Sequence, residues 1–240
     1  DIHQNENDLS ITAAGNTYTN ANQDVSGFSK GISDYWVLKT DTAGVIQYEK
    51  IIGGDSIDDF AVFVPTSDEG FLLAGSSASG KNGDKSDDSK GGFDYWIVKI
   101  SKNGSIEWDK TIGGLEDDYL TCAVGDGLGG FYLGGYSLSG SSGDKSEQNY
   151  GKEDYWIVKT DNLGNVLWDL TLGGDSTDIL KNIALGPGEL LTGGYSISDI
   201  GGTKTENGFG GFDFWLNKID FDGNIVDDKT LGGSDDDFLE

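Results

Sequence analysis

An Asp-(Tyr/Phe)-Trp triplet occurs four times, at Asp34-Tyr35-Trp36, Asp94-Tyr95-Trp96, Asp154-Tyr155-Trp156 and Asp213-Phe214-Trp215. The spacings are 60, 60 and 59 residues, and four such periods account for the 240-residue chain. A period of this length belongs to stacked or ring-arranged supersecondary units, each burying a face only against its neighbour. One repeat domain over residues 1–240 is therefore expected. Its units run at about 51–110, 111–170 and 171–229, with a last unit made of 230–240 together with 1–50.

Within one unit the pattern is that of strands. Phe60–Pro65 and Phe71–Gly75 are short apolar runs separated by the turn-forming Thr66–Gly70. A polar loop from Ser76 to about Gly92 leads to a third run, Asp94–Ile100. Lys102-Asn103-Gly104 is a tight hairpin signal, and Ile106–Ile112 alternates apolar and polar as a half-exposed fourth strand. No 3.6-residue period appears. Four antiparallel strands per repeat is the composition of a propeller blade, so the expected fold is an all-β, four-bladed β-propeller. The tail Gly232–Glu240 and the start Asp1–Thr12, read end to end, make one more copy of the double-glycine and first-strand pattern. They predict a ring closed by a blade that both termini share; a cut through a longer array would leave the same register.

Formal net charge is −26, with 42 acidic residues against 16 lysines and no arginine. Such a chain repels nucleic-acid backbones and anionic lipid, so no nucleic-acid partner is expected. No apolar run approaches the ~18 residues of a membrane helix. Cys122 is the single cysteine and His3 the single histidine, which excludes an internal disulfide, a Ser-His-Asp or Cys-His set and a histidine-based zinc site. The chain begins at Asp1 without a signal-like segment, as a processed product or a part of something longer would.

Carboxylates are the candidate site residues. The motif aspartates Asp34, Asp94, Asp154 and Asp213 repeat at equivalent places. They read either as structural acceptors that lock each strand start or as a ring that binds a cation. Ten residues upstream stand Asp24, Asp84, Asp144 and, in the fourth unit, Thr203. Oxygen donors at short spacing in Gly-rich loops suit Ca²⁺, although the pattern is not that of an EF-hand; the plainer reading is a turn that satisfies loop backbone groups. Asp58, Asp59, Asp118, Asp178 and Asp237 follow the double glycines and read as solvated sheet ends or an acidic rim. The motif tryptophans read as core between blades. Tyr48, Trp108 and Trp168 in the fourth strand read as packing against a neighbouring blade or as surfaces for sugar rings.

The recurrence of Asp-Tyr-Trp-(Val/Ile)-(Leu/Val)-Lys, Trp-Asp-Lys-Thr and Gly-Gly-x-x-x-Asp-Asp resembles the ~60-residue β-propeller repeats of secreted and cell-surface proteins of Bacteroidota. The resemblance covers essentially the whole chain. It implies an extracellular or cell-surface location, often by the type IX secretion pathway, and a binding or adhesive role with no defined catalytic residues. The functional expectation is a non-catalytic, monomeric module of a larger protein that meets a glycan or surface protein at its long loops, with Ca²⁺ as the one candidate cofactor. A structural spacer and a carbohydrate-active enzyme using two carboxylates are the alternatives.

Overall fold

The computed structural model describes residues 1–18 and 25–239. Sixteen strands form four antiparallel sheets in strict chain order. Sheet one contains β1 (Ile2–Gln4), β2 (Ile11–Thr17), β3 (Asp34–Thr40) and β4 (Ile46–Ile52). Sheet two contains β5 (Asp58–Pro65), β6 (Phe71–Ser77), β7 (Asp94–Ile100) and β8 (Ile106–Ile112). Sheet three contains β9 (Asp118–Gly125), β10 (Phe131–Ser137), β11 (Asp154–Thr160) and β12 (Val166–Leu172). Sheet four contains β13 (Asp178–Leu185), β14 (Glu189–Ser196), β15 (Asp213–Asp220) and β16 (Ile225–Leu231). No helix occurs among the described residues, so none is long and apolar enough to cross a membrane.

Each sheet is a meander because its connections are local. The hairpin between third and fourth strands turns on a glycine with positive φ, Gly104 in sheet two, where a side chain would be strained. The first strand starts earlier than its apolar run suggests, at Asp58, because the Asp58 amide donates to the Ser33 carbonyl and its Oδ2 accepts the Gly54 amide at 2.6 Å.

A single four-stranded sheet cannot bury both faces, and the core lies between sheets. Three hydrophobic clusters fill the spaces between sheets one and two, two and three, and three and four. The motif sets the polarity of every interface. Its tyrosine faces the following sheet and its tryptophan faces the preceding one. Tyr35 packs on Trp96, Tyr95 on Trp156 and Tyr155 on Trp215, with ring centroids 4.8–4.9 Å apart. Each tyrosine hydroxyl donates to the backbone carbonyl of that tryptophan, at 3.1, 2.9 and 3.1 Å. The buried hydroxyl is thus satisfied while the rings meet.

The expected sharing of a blade between the termini is not present among the described residues. β1 belongs to sheet one, and Gly232–Leu239 packs on sheet four instead, with the Asp237 amide donating to Phe212 and Phe238 meeting Tyr195 and Phe212. The physical reason is local. This segment repeats the turn that opens every later sheet, and that turn docks on the sheet before it.

Candidate functional site

The motif aspartates are interior groups. Asp34, Asp94, Asp154 and Asp213 are fully buried, and Oδ2 of each accepts a backbone amide four residues upstream, from Lys30, Lys90, Tyr150 and Phe209. Their Oδ1 atoms have no hydrogen-bond partner and lie against the first glycine of the double-glycine turn. A Cβ on Gly53 or Gly113 would stand 1.9 Å from that oxygen, so the recurrent glycine follows from the buried carboxylate. Desolvation pushes the Asp94 carboxyl up to about 6 and the Asp154 carboxyl up to about 7. The first-strand aspartates Asp118 and Asp178 add to this by repulsion, each being close to one motif carboxyl.

Those first-strand aspartates differ from the solvated rim expected of them. Asp58, Asp118 and Asp178 are fully buried and cap the double-glycine turns, and Asp58 and Asp118 also accept from Ser77 and Ser137. Pattern alone does not reveal this, because a carboxylate that accepts turn amides and one in water look the same in sequence.

The loop carboxylates act as clasps between sheets. Asp84 pairs with Lys30 and accepts the Gly53 amide at 3.2 Å; Asp144 pairs with Lys90 and accepts the Gly113 amide at 3.1 Å. In the fourth unit Thr203 Oγ1 accepts the Gly173 amide at 2.9 Å without a lysine partner. Asp24 lies outside the described residues. The structure does not gather Asp84 and Asp144 with the motif carboxylates into a metal cluster: among the described residues no three His, Cys, Asp or Glu side chains stand together as a metal would require. A calcium ion at either loop position would have to displace a lysine ammonium and still find several more oxygens. Melting curves in excess Ca²⁺ and in excess chelator are accordingly expected to coincide. A fall of several degrees on chelation would return a cation to the motif aspartates.

The long loops are likewise held down. The Ser86 and Ser146 amides donate to Asp109 and Asp169, which also accept the indole N–H of Trp96 and Trp156 at 3.0 Å. Lys85, Lys145 and Lys204 run inward and are buried, their ammonium groups meeting loop carbonyls and hydroxyls.

Open concave surface lies at the opposite end, beside the hairpins. A cleft of about 540 Å³ between sheets two and three is lined by Trp108, Lys99, Asp68, Glu107, Asn162 and Leu163, among others. Its shape follows from the repeat. The third-to-fourth-strand hairpin of each of sheets two to four sits over the fourth-strand aromatic of the sheet before it: Gly104 over Tyr48, Gly164 over Trp108 and Gly223 over Trp168. Between sheets three and four Phe221 stacks on Tyr132. The corresponding hairpin residue in sheet three is the polar Asn162, and the cleft between sheets two and three is open. Lys99 Nζ bridges Asp68 at 2.8 Å and Glu107 at 3.2 Å. The Asp68 carboxyl is held down to about 2, its burial outweighed by hydrogen bonds from Lys99, Thr66 and the Gly70 amide. Sequence reading singled out Trp108 but not the cleft, because Asp68 and Asn162 come together only when two sheets pack.

No family model matches the chain. Over 173 residues it is 26% identical to the regulatory protein FlaEY of Caulobacter vibrioides, a match that takes in 68% of this chain. It takes in 18% of that protein, so the relationship is to a small part of a much longer chain.

Proposed function

We propose that this chain is a non-catalytic binding module of an extracellular or surface-displayed protein, with its four sheets serving as blades of a β-propeller. The observation that carries the proposal is the cleft between sheets two and three, where an indole lies among a lysine, two carboxylates and an amide. An aromatic ring flanked by fixed polar groups suits a neutral oligosaccharide, whose C–H faces pack on the ring while its hydroxyls find donors and acceptors. The long loops are a poorer surface, because backbone amides of theirs are engaged by the fourth strand of their own sheet and Lys30, Asp84, Lys90 and Asp144 are engaged between sheets.

The chemistry of the cleft supports binding over turnover. Hydrolysis of a glycoside needs one carboxyl that is protonated and one that is ionised. Asp68 and Glu107 share one lysine, and the Asp68 carboxyl is held in its ionised form. The carboxyls that hold a proton near neutrality, Asp94 and Asp154, are sealed inside.

Titration with a panel of neutral oligosaccharides, read by tryptophan fluorescence, tests the proposal. A binder is expected whose affinity falls about tenfold or more in Trp108→Ala, about 1.4 kcal/mol, and falls measurably in the milder, exposed Asn162→Ala. Release of reducing ends would instead make the protein an enzyme. Silence across the panel with both variants folded would leave the spacer reading.

A further inference from the structure

The turn between β5 and β6 is a wall of the cleft at Trp108 and of a second cleft. Asp68 lines the first, and the next residue, Glu69, lines a cleft of about 320 Å³ between sheets one and two. Successive Cα atoms are about 3.8 Å apart, so a single turn separates the two spaces. The second cleft repeats the first by one period. Lys39 pairs with Tyr48 across β3 and β4 as Lys99 pairs with Trp108 across β7 and β8. Lys39 Nζ meets Asp8 at 3.7 Å, where Lys99 meets Asp68 at 2.8 Å. Gln47 stands in the place of Glu107, and the hairpin wall is Lys102 and Asn103 in the places of Asn162 and Leu163.

Both clefts are open for the same reason. In sheet four the first hairpin residue is Phe221, whose ring stacks on Tyr132 and covers the space between sheets three and four. Lys102 and Asn162 hold that place in sheets two and three, and neither has a ring to lay over the cleft. The charges select the ligand. Asp8 and Glu69 balance Lys39 and Lys102 in the second cleft, and Asp68 and Glu107 outnumber Lys99 in the first. Neither has the excess of positive charge that an acidic sugar needs, and the net charge of −26 repels one. Both offer an aromatic ring among ammonium, carboxylate and amide groups, which suits a neutral hydroxylated chain.

The residue on the shared wall carries an unfavourable backbone. Glu69 has φ of 64°, in the left-handed region. Sheets three and four place Gly129 and Gly188 there, and sheet one places Leu9, with φ of 58°. Glycine would relieve the crowding that a side chain meets in this conformation. Contacts within the protein do not account for the glutamate. Its carboxylate approaches Lys102 only to 3.8 Å, and both side chains are about half exposed, a pair that adds little to stability. What the turn does achieve is to send consecutive carboxylates into different clefts.

Given an oligosaccharide at Trp108, as proposed above, we infer that the two clefts are consecutive subsites for one chain of a neutral polysaccharide. The polymer crosses the turn between β5 and β6, with sugars in the Trp108 cleft and further sugars in the Tyr48 cleft. Glu69 accepts hydrogen bonds from hydroxyls of the second group, and Lys102 donates to them.

Calorimetric titration with cello-, manno- and xylo-oligosaccharide ladders, from disaccharide to octasaccharide, tests this. In the ladder that binds, the longest member is expected to bind about tenfold or more tighter than the disaccharide, with one oligosaccharide per protein chain. Glu69→Gly, which relieves the left-handed backbone, should bring that ratio down to a few-fold without lowering the melting temperature. Lys102→Ala should reduce the ratio as well, and Trp108→Ala should weaken every member. A ladder that binds at Trp108 with no gain along its length overturns the second subsite and leaves binding at Trp108 standing. So does a gain that survives in Glu69→Gly. If no member of any ladder binds the folded protein, the Trp108 site and the second subsite fall together.

Discussion

Gly135→Ala is expected to lower the melting temperature by about 10 °C, whereas Gly15→Ala, the equivalent change in sheet one, leaves it unchanged or slightly raised. The two residues occupy the same place in their sheets. At Gly135 a Cβ would stand 1.9 Å from the Tyr119 carbonyl and 2.8 Å from the Tyr95 hydroxyl. The first contact forces apart β9 and β10 at the point where their register shifts. The second displaces the hydroxyl that donates to the Trp156 carbonyl across the interface between sheets two and three. Overpacking against backbone costs about 3 kcal/mol or more, and a domain of this size loses roughly 2–4 °C per kcal/mol. At Gly15 nothing lies within 4 Å, and its φ is not in the left-handed region. There the main effect of alanine is on the unfolded chain, worth about 0.4–1 kcal/mol in favour of folding. Calorimetry of both variants checks the pair; equal losses would show that the first strand of sheet one is complete in solution.

Stability is expected to fall as pH rises from about 4 to about 7, the reverse of acid denaturation. Asp94 and Asp154 titrate at about 6 and about 7 in the folded protein, above the roughly 3.9 of an unfolded aspartate. The folded state binds the extra protons. Its advantage from these groups is therefore complete below about pH 4 and is lost as pH passes through the two folded values. Together they contribute about 3 kcal/mol once solvent screening is allowed for, or on the order of 10 °C in melting temperature. Self-repulsion from the net charge of −26 acts in the same direction but is screened by salt. The measurement is a melting series over pH at high ionic strength, where the buried contribution survives. Asp154→Asn should flatten the upper part of the slope. An unaltered slope in that variant would place the effect in surface charge instead. On the acid side, Asp68 opposes the trend: its carboxyl sits at about 2, so the stability it contributes, complete above about pH 4, is lost as pH falls through about 2.

The triplet period and its strand pattern were enough to place the strands. β7 and β8 occupy Asp94–Ile100 and Ile106–Ile112, the bounds that alternation and the Asn103-Gly104 turn imply, because strand and hairpin signals are local. The repetition also implied that the tryptophans lie between sheets, since a short sheet has no other way to bury them. That the motif aspartates accept amides of the preceding loop was one of the two readings the sequence left open, whereas the turn caps made by Asp58, Asp118 and Asp178 were not legible. Whether a carboxylate caps a turn, clasps a lysine or meets water depends on which backbone amides the neighbouring unit brings within 3 Å. The cleft around Trp108 belongs to the same class of fact. Sequence determined four alike sheets, since each forms from contacts within about sixty residues. Only tertiary packing decided which surfaces remain uncovered, because burial of a sheet face is a property of two sheets and not of one.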